Sequence, residues 1–271
     1  MAHLLPTRMV EKVWGRDALP APFSASDGQR IGEIWFEPPP ELDALLVKYL
    51  FTSDKLSVQV HPNDAQAPAG SNGKEECWLV LDAEPEAKLA IGFRQDVTVE
   101  QMRAGALDGS IEHMLEWHDA RPGDFFYIPA GTVHAIGPGL SLVEVQQNSD
   151  ITYRFYDYGR PRDLHLEESL SVALGTPHGA EHRASLPEQG SMTLVDGPHF
   201  LLDRLDGRPD AQLLARYAAP LLVLPLAGEA RLGDTRIGAG ECALAPSLDA
   251  VDFSACQRAL LTAPVSGPAT G

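Results

Sequence analysis

The feature that most limits the fold is a series of brief apolar runs: "IGEIWF", "LLVKYLF", "KLSVQV", "CWLVLD", "AKLAIGF", "DFFYIPA", "SLVEVQQ" and "ITYRFYDY". The 22 prolines and 24 glycines of the 271-residue chain are scattered between and around them. Apolar runs of this length closed by turn formers read as strands. The chain is therefore expected to be mainly β, of sandwich or barrel type. Two segments interrupt the pattern. In "TVEQMRAGALDGSIEHMLEW", Thr98 is placed to cap a helix whose apolar face is Met102, Leu107, Ile111, Met114 and Leu115. The second helical segment is "DLHLEESLSVAL", from Asp163.

This length accommodates one large domain or two smaller ones. "GTPHGAEHRASLPEQGS" has little apolar content and reads as a linker, so a boundary is expected between residues 175 and 190, dividing the chain into 1–180 and 181–271. An internal repeat spans that boundary. "LVLDAEPEAKL" at 79–89 aligns without gaps on "LVLPLAGEARL" at 222–232, and "GDFFYIP" at 123–129 matches "GECALAP" at 240–246. The two offsets, 143 and 117, differ by 26 residues, about the length of a helix and its loops around 97–118. Two copies of one β unit, the first with a helical insertion, account for this.

A formal charge of −17 excludes nucleic acid and anionic membrane as partners, because the average surface repels both. An anionic small substrate would need a local basic pocket. Cys77, Cys242 and Cys256 are widely spaced, which suggests buried reduced thiols and neither a disulfide framework nor a thiolate zinc site. The chain has no apolar stretch of about 18 residues, and "MAHLLPTRMVEKVWGRD" lacks the features of a secretory signal, so a cytoplasmic protein is expected.

Chemistry concentrates in two places. In "SVQVHPND", Gln59 and His61 are spaced i, i+2, which points both side chains from one face of a strand before Pro62 and Asn63 stop it. That parity suits a metal, and equally an ordinary polar rim. "GDFFYIPAGTVHAIG" reads G-x5-P-x-G-x2-H, with Gly123, Pro129, Gly131 and His134. This is a strand, a turn whose glycine can take positive φ, and a histidine delivered to the next strand.

The second pattern resembles the second motif of the cupin superfamily, and "QVHPND...GKEECWLVL" occupies the place of the first. With "LSVQVHPND", "IPAGTVHAIG" and "VEVQQNSDITYRFYDYGR" the likeness narrows: the chain is similar to the type I mannose-6-phosphate isomerases in their short bacterial form, from about residue 10 to 170. The resemblance implies two cupin-like jelly-roll barrels. The second barrel would lack a metal site, because "GECALAPSLDAVDF" carries no histidine after its proline. It implies one zinc per chain held by His61, Glu76 and His134, with Gln59 a fourth ligand in the longer enzymes. Glu75 and Glu76 would point to opposite faces of a strand, and the family's Lys-x-Glu pattern selects Glu76.

Lys74 and Ser57 are expected at the substrate, with Arg154 and Glu144 as catalytic residues. Against these stand plainer roles: Lys74 as a solvated loop residue, Arg154 paired with Asp150 or Asp157. The implied reaction interconverts mannose 6-phosphate and fructose 6-phosphate through a cis-enediol. Zinc and Arg154 would stabilise the developing charge, and the base would be Glu144, a zinc-bound water or a ligand histidine. The expected state is monomer or homodimer. The rival readings are a ferrous cupin oxygenase and a non-catalytic sugar-binding bicupin.

Overall fold

The computed structural model describes residues 3–265. The brief apolar runs are strands, as expected, and they make three antiparallel sheets. A five-stranded sheet runs in the order Tyr153–Tyr156, Val58–Val60, His134–Ile136, Lys88–Phe93, Leu115–Asp119. A seven-stranded sheet runs Arg183–Ser185, Asp124–Ile128, Glu76–Ala83, Leu140–Gln147, Leu45–Phe51, Ile31–Phe36, Thr7–Arg16. These two sheets face each other. Between them lies a core of Leu50, Trp78, Val80 and Leu142 from one and Leu89, Ile91 and Ile136 from the other.

Strand alternation assigns each residue its layer. Leu89 and Ile91 face the seven-stranded sheet, whereas Ala90 faces outward onto the helices with Val58, Val60 and Phe155. Those helices come from the two segments singled out in the sequence. Val99–Asp108 is capped by Thr98 and Gln101 in a reciprocal capping box and ends at Gly109 in the left-handed region. A single turn, Ile111–Met114, follows it, and the second segment forms Leu166–Val172. Met102 and Ile111 are buried as expected, but Leu107 is 74% exposed and Leu115 begins a strand. The helix ends at Gly109, so the apolar periodicity could not continue through it.

The third sheet has seven strands, mostly from the C-terminal third, with the long strands Leu221–Leu232 and Val251–Pro264 at its centre. One of its faces packs on the outer face of the seven-stranded sheet above, joining Leu202, Leu222 and Leu260 to Tyr49, Phe51 and Val143. Its other face carries a separate core of Leu205, Tyr217, Val223, Phe253 and Leu261. The chain crosses between the two parts at both ends. His3–Leu4 pairs with Ala243–Ala245, and Arg183–Ser185, inside the low-apolar segment, pairs with Asp124–Ile128. The three cysteines are free and buried. Among the described residues no helix is long and apolar enough to cross a membrane.

Candidate metal centre

Two rows of side chains, one from each facing sheet, form the site. In the five-stranded sheet, Arg154 lies opposite Gln59, Gln59 opposite His134 and His134 opposite Ile91, so all four share the inner face. In the seven-stranded sheet the inner row is Arg8, Trp35, Lys48, Glu144, Trp78 and Phe126. One register step of two brings Glu76 opposite Gln146 on the same face. The interior is thus apolar at one end and charged at the other.

His61 follows directly on Val58–Val60, and Pro62 starts the loop that turns back to Lys74, whose N–H donates to the Pro62 carbonyl at 2.9 Å. Gly131, at φ +85°, lets the motif turn tightly; a Cβ there would stand 2.9 Å from Leu174 Cγ and the Val172 carbonyl oxygen. The Gly131 N–H also donates to the His61 carbonyl at 2.8 Å, tying the two histidine-bearing segments together.

His61, Glu76 and His134 are all buried, and they offer ligand atoms lying within 4.8 Å of one another. His61 Nε2 is 3.6 Å from Glu76 Oε2, and His134 Nε2 is 3.5 Å from Glu76 Oε1. The other ring nitrogens are committed: His61 Nδ1 lies 2.7 Å from the Ile151 carbonyl oxygen, and His134 Nδ1 lies 2.9 Å from that of Thr132. A carbonyl only accepts, so each Nδ1 carries the proton and each Nε2 turns a lone pair to the centre. Burial, with Lys74 and His134 adding to it at His61, pushes both imidazoles below the ordinary histidine range and keeps them neutral.

Glu76 supplies the observation that tests whether a metal fits. Both its carboxylate oxygens are buried with no aligned hydrogen-bond donor among the described residues. Lys74 Nζ stands 2.7 Å from Oε2, an ion pair without the alignment of a hydrogen bond. Burial raises the Glu76 carboxyl, but the Lys74 ammonium outweighs it and holds the group below its usual value. Two neutral imidazoles and an ionised, orphaned carboxylate suit a divalent cation.

Gln59 is half-buried beside them, its Nε2 3.2 Å from His134 Nε2 and its Oε1 accepting from Ser57 Oγ at 3.2 Å. Lys74 is buried, 3.2 Å from His61 Nε2, and the solvated-loop alternative does not hold. Glu75 does point the other way, to Tyr127 and His199.

Beside the cluster opens a cavity of about 270 Å³ whose walls include Ser57, Gln59, Lys74, Glu144 and Arg154. Six cationic side chains line it (Arg8, Lys12, Lys48, Lys74, Arg154 and Arg162) against the carboxylates of Glu33, Glu144 and Asp150. This is the local basic pocket that a chain of charge −17 requires for an anionic ligand. Glu144 reaches it from the far wall, accepting from Lys48 Nζ at 2.9 Å and from the Trp78 indole at 3.1 Å. Among the described residues the Arg154 guanidinium donates only to the Asp163 carbonyl, at 3.3 Å, and pairs with neither Asp150 nor Asp157.

The sequence reading missed Lys48, Trp78, Glu33, Trp35 and Arg162. Lys48 and Trp78 sit in apolar strand runs, where alternation marks them as inward-facing, but nothing in the sequence says that the inward end of those strands is a cavity. A larger cavity of about 540 Å³ lies between the outer face of the seven-stranded sheet and the C-terminal sheet, lined by Phe23, Tyr49, Phe51 and Leu226. It contains no part of the ligand cluster.

No family model matches the chain. The chain is 41% identical over 201 residues to the mannose-6-phosphate isomerase of Streptococcus mutans, a match covering 69% of this chain and 62% of that protein. The chain thus spans about three fifths of that relative's length. It is 31% identical over 236 residues to the "Putative mannose-6-phosphate isomerase YvyI" of Bacillus subtilis, covering 78% of this chain and 74% of that one. The crystal structure of the mannose 6-phosphate isomerase from Bacillus subtilis superposes with a TM-score of 0.75 at 24% identity, covering 97% of this chain and 99% of the other, a likeness of fold.

Proposed function

The chain belongs to the mannose-6-phosphate isomerase family, and on that premise we propose that it is a cytoplasmic, zinc-dependent enzyme interconverting mannose 6-phosphate and fructose 6-phosphate. The observation that carries this reading is the buried Glu76 carboxylate, with no aligned hydrogen bond on either oxygen, facing two Nε2 lone pairs beside a cation-lined cavity. His61, Glu76 and His134 would hold the metal; Gln59 turns its amide nitrogen to His134 and its Oε1 to Ser57, so it would add a fourth ligand only with its amide turned over. When bound, zinc supplies Lewis-acid stabilisation of the negative charge that develops on the substrate oxygens as the cis-enediol forms.

The remaining chemistry falls to the chain's own side chains. Lys74 sits where it can donate to a substrate oxygen while neutralising Glu76. Arg154, in the same row as Gln59 and His134, adds a fixed cation for charge that appears only in the transition state. Glu144 is the carboxylate placed to move the proton between C1 and C2, its orientation set by Lys48 and Trp78. The aromatic and aliphatic end of the barrel interior keeps water from the far side of the cavity.

Residues 1–180 carry this machinery. The described residues from 181 to 265 hold no metal-ligand cluster and cover the outer face of the catalytic barrel. The two-histidine, one-carboxylate set also suits ferrous oxygenases, but six cations around the cavity are an arrangement for a phosphate ester. The test is a coupled assay for mannose 6-phosphate isomerisation on zinc-loaded, chelated and His134→Ala protein, with metal content measured in parallel. Activity that needs both metal and His134 is expected. Turnover indifferent to chelation would overturn the metal mechanism, and zinc binding without turnover on any hexose phosphate would favour a sugar-binding protein.

A further inference from the structure

We propose that Arg162 anchors the phosphate end of the substrate, with Asp157 as its positioning residue; the assignment rests on the isomerase reading of the same cavity. Arg162 belongs to neither metal motif, and it lines the cavity beside Arg154. Its guanidinium is held from one side only. Nε donates to Asp157 Oδ2 at 2.5 Å and Nη2 donates to Oδ1 at 2.6 Å, while Nη1 has no hydrogen-bond partner among the described residues. Asp157 is 2% exposed, so this clamp is rigid and presents a free donor edge.

Charge points the same way. Asp157 is shared, because Arg160 Nη2 also donates to its Oδ1 at 2.7 Å. Arg160 also pairs with Asp54 at 3.5 Å, so the charge on this wall without a carboxylate partner among the described residues is that of Arg154, whose pKa is lowered by burial and further by the nearby Arg162. Like charges gathered on one cavity wall are relieved by an anion placed between them, and a fixed guanidinium edge suits phosphate oxygens. The cavity's lysines are each paired, Lys12 at 3.2 Å from Glu33, Lys48 at 2.9 Å from Glu144 and Lys74 at 2.7 Å from Glu76. Arg162 is paired too, with Asp157, but keeps Nη1 without a hydrogen-bond partner among the described residues.

Distance along the sheet sets the polarity of the substrate. Arg154 is two strands from His134, roughly 10 Å across the ladder, a span that an open six-carbon chain can bridge. The sugar's carbonyl end then lies between the histidines and Arg154, and its phosphate past Arg154, on the Arg162 side. A contact to the non-reacting phosphate that is equal in the ground and transition states is uniform binding, so its loss is read mainly in KM.

The experiment compares zinc-loaded wild type, Arg162→Ala and Arg162→Lys in two measurements: steady-state kinetics on mannose 6-phosphate, and calorimetric titration with inorganic phosphate. For Arg162→Ala, KM is expected to rise and phosphate affinity to fall by roughly tenfold or more each, with kcat within about threefold, because a charge-assisted contact is lost without touching the metal. Arg162→Lys keeps the charge but loses the Asp157 clamp, and falls between. Asp157→Asn, which frees Arg162 without removing it, shifts KM in the same direction. The assignment is overturned if phosphate affinity and KM are unchanged in Arg162→Ala, if kcat falls at constant KM, or if the wild type binds no phosphate. A wild type without isomerase turnover that still binds phosphate through Arg162 would sink the isomerase reading and leave the anion subsite standing.

Discussion

Two carboxylates are buried to the same depth in different parts of the molecule, Glu76 at 1% and Asp203 at 0% exposure. Asp203, in the C-terminal sheet, is saturated. Thr193 Oγ1 donates to it at 2.6 Å, Arg216 Nε at 2.9 Å and the Tyr217 hydroxyl at 2.7 Å. Glu76 has no aligned donor on either oxygen and two lone pairs aimed at it. Burying a carboxylate is costly in both places; three donors offset that cost at Asp203, whereas at Glu76 the Lys74 ammonium at 2.7 Å offsets the charge and leaves both oxygens without an aligned donor. The difference teaches that unfilled hydrogen-bonding capacity, rather than buried charge as such, separates a candidate ligand from a structural tie.

The repeat extends the comparison. "GDFFYIPAGTVHAIG" leaves the seven-stranded sheet at Ile128 and enters the five-stranded sheet at His134, crossing the barrel. Its counterpart leaves Ala243–Ala245 and re-enters the same sheet at Val251, which packs in the core. The matching "LVLDAEPEAKL" is likewise two strands in two sheets, broken at Pro85, while "LVLPLAGEARL" is one strand. Gly228, at φ +79°, stands where the first copy has Pro85, so the second copy forms a bulge and stays in the ladder.

The largest effect that could break this contrast is at Glu76. Glu76→Gln is expected to lower kcat/KM on the order of a thousandfold through loss of the charged donor and to copurify without zinc; assay and metal analysis check it, and full activity in the variant would remove the distinction. Asp203→Asn is expected to do the reverse, lowering unfolding free energy by about 3 kcal/mol in urea titrations while zinc content and KM hold. Loss of zinc from a folded Asp203→Asn protein would make the two carboxylates parts of one system.

Val251→His restores a histidine at the fifth position after the proline. It is expected to bind no second zinc and to cost about 1–3 kcal/mol as an unpaired polar group in an apolar core, read by metal stoichiometry and urea midpoint. The smallest effect is on pH. His61 and His134 are depressed by burial, so below the unfolded value of about 6.5 the unfolded chain takes up protons that the folded one refuses. Stability of the metal-free protein is therefore full above that pH and falls as the pH drops toward the lower folded values. Urea midpoints between neutral and mildly acid pH should decline, and replacing both histidines by Asn should flatten that limb.

Much of this was legible in the sequence, and the reasons are local. Strand runs, the Thr98 cap and the Gly-Pro-Gly-His frame depend on neighbours a few residues apart, and the parity of Glu75 and Glu76 needs only the pleat. Leu107 was misjudged because it lies at i+5 from Met102, off the face on which Met102, Gly105 and Ala106 are buried. Lys48 and Arg162 gave no local signal, since their partners Glu144 and Asp157 matter only through what shares the cavity with them.

The amino-acid order by itself determined the β character and the inserted helices, because each follows from backbone preference and side-chain parity over short spans, and the likeness carried by its motifs pointed to His61, Glu76 and His134 as candidate ligands. Only the tertiary structure decided that the rows of Arg154 and of Arg8 face one another across a single cavity, and that one copy of the repeat crosses between sheets while the other does not. Those outcomes depend on which strands pair and which faces are covered. Pairings over more than a hundred residues are settled by packing free energy of the whole chain, which no short window contains.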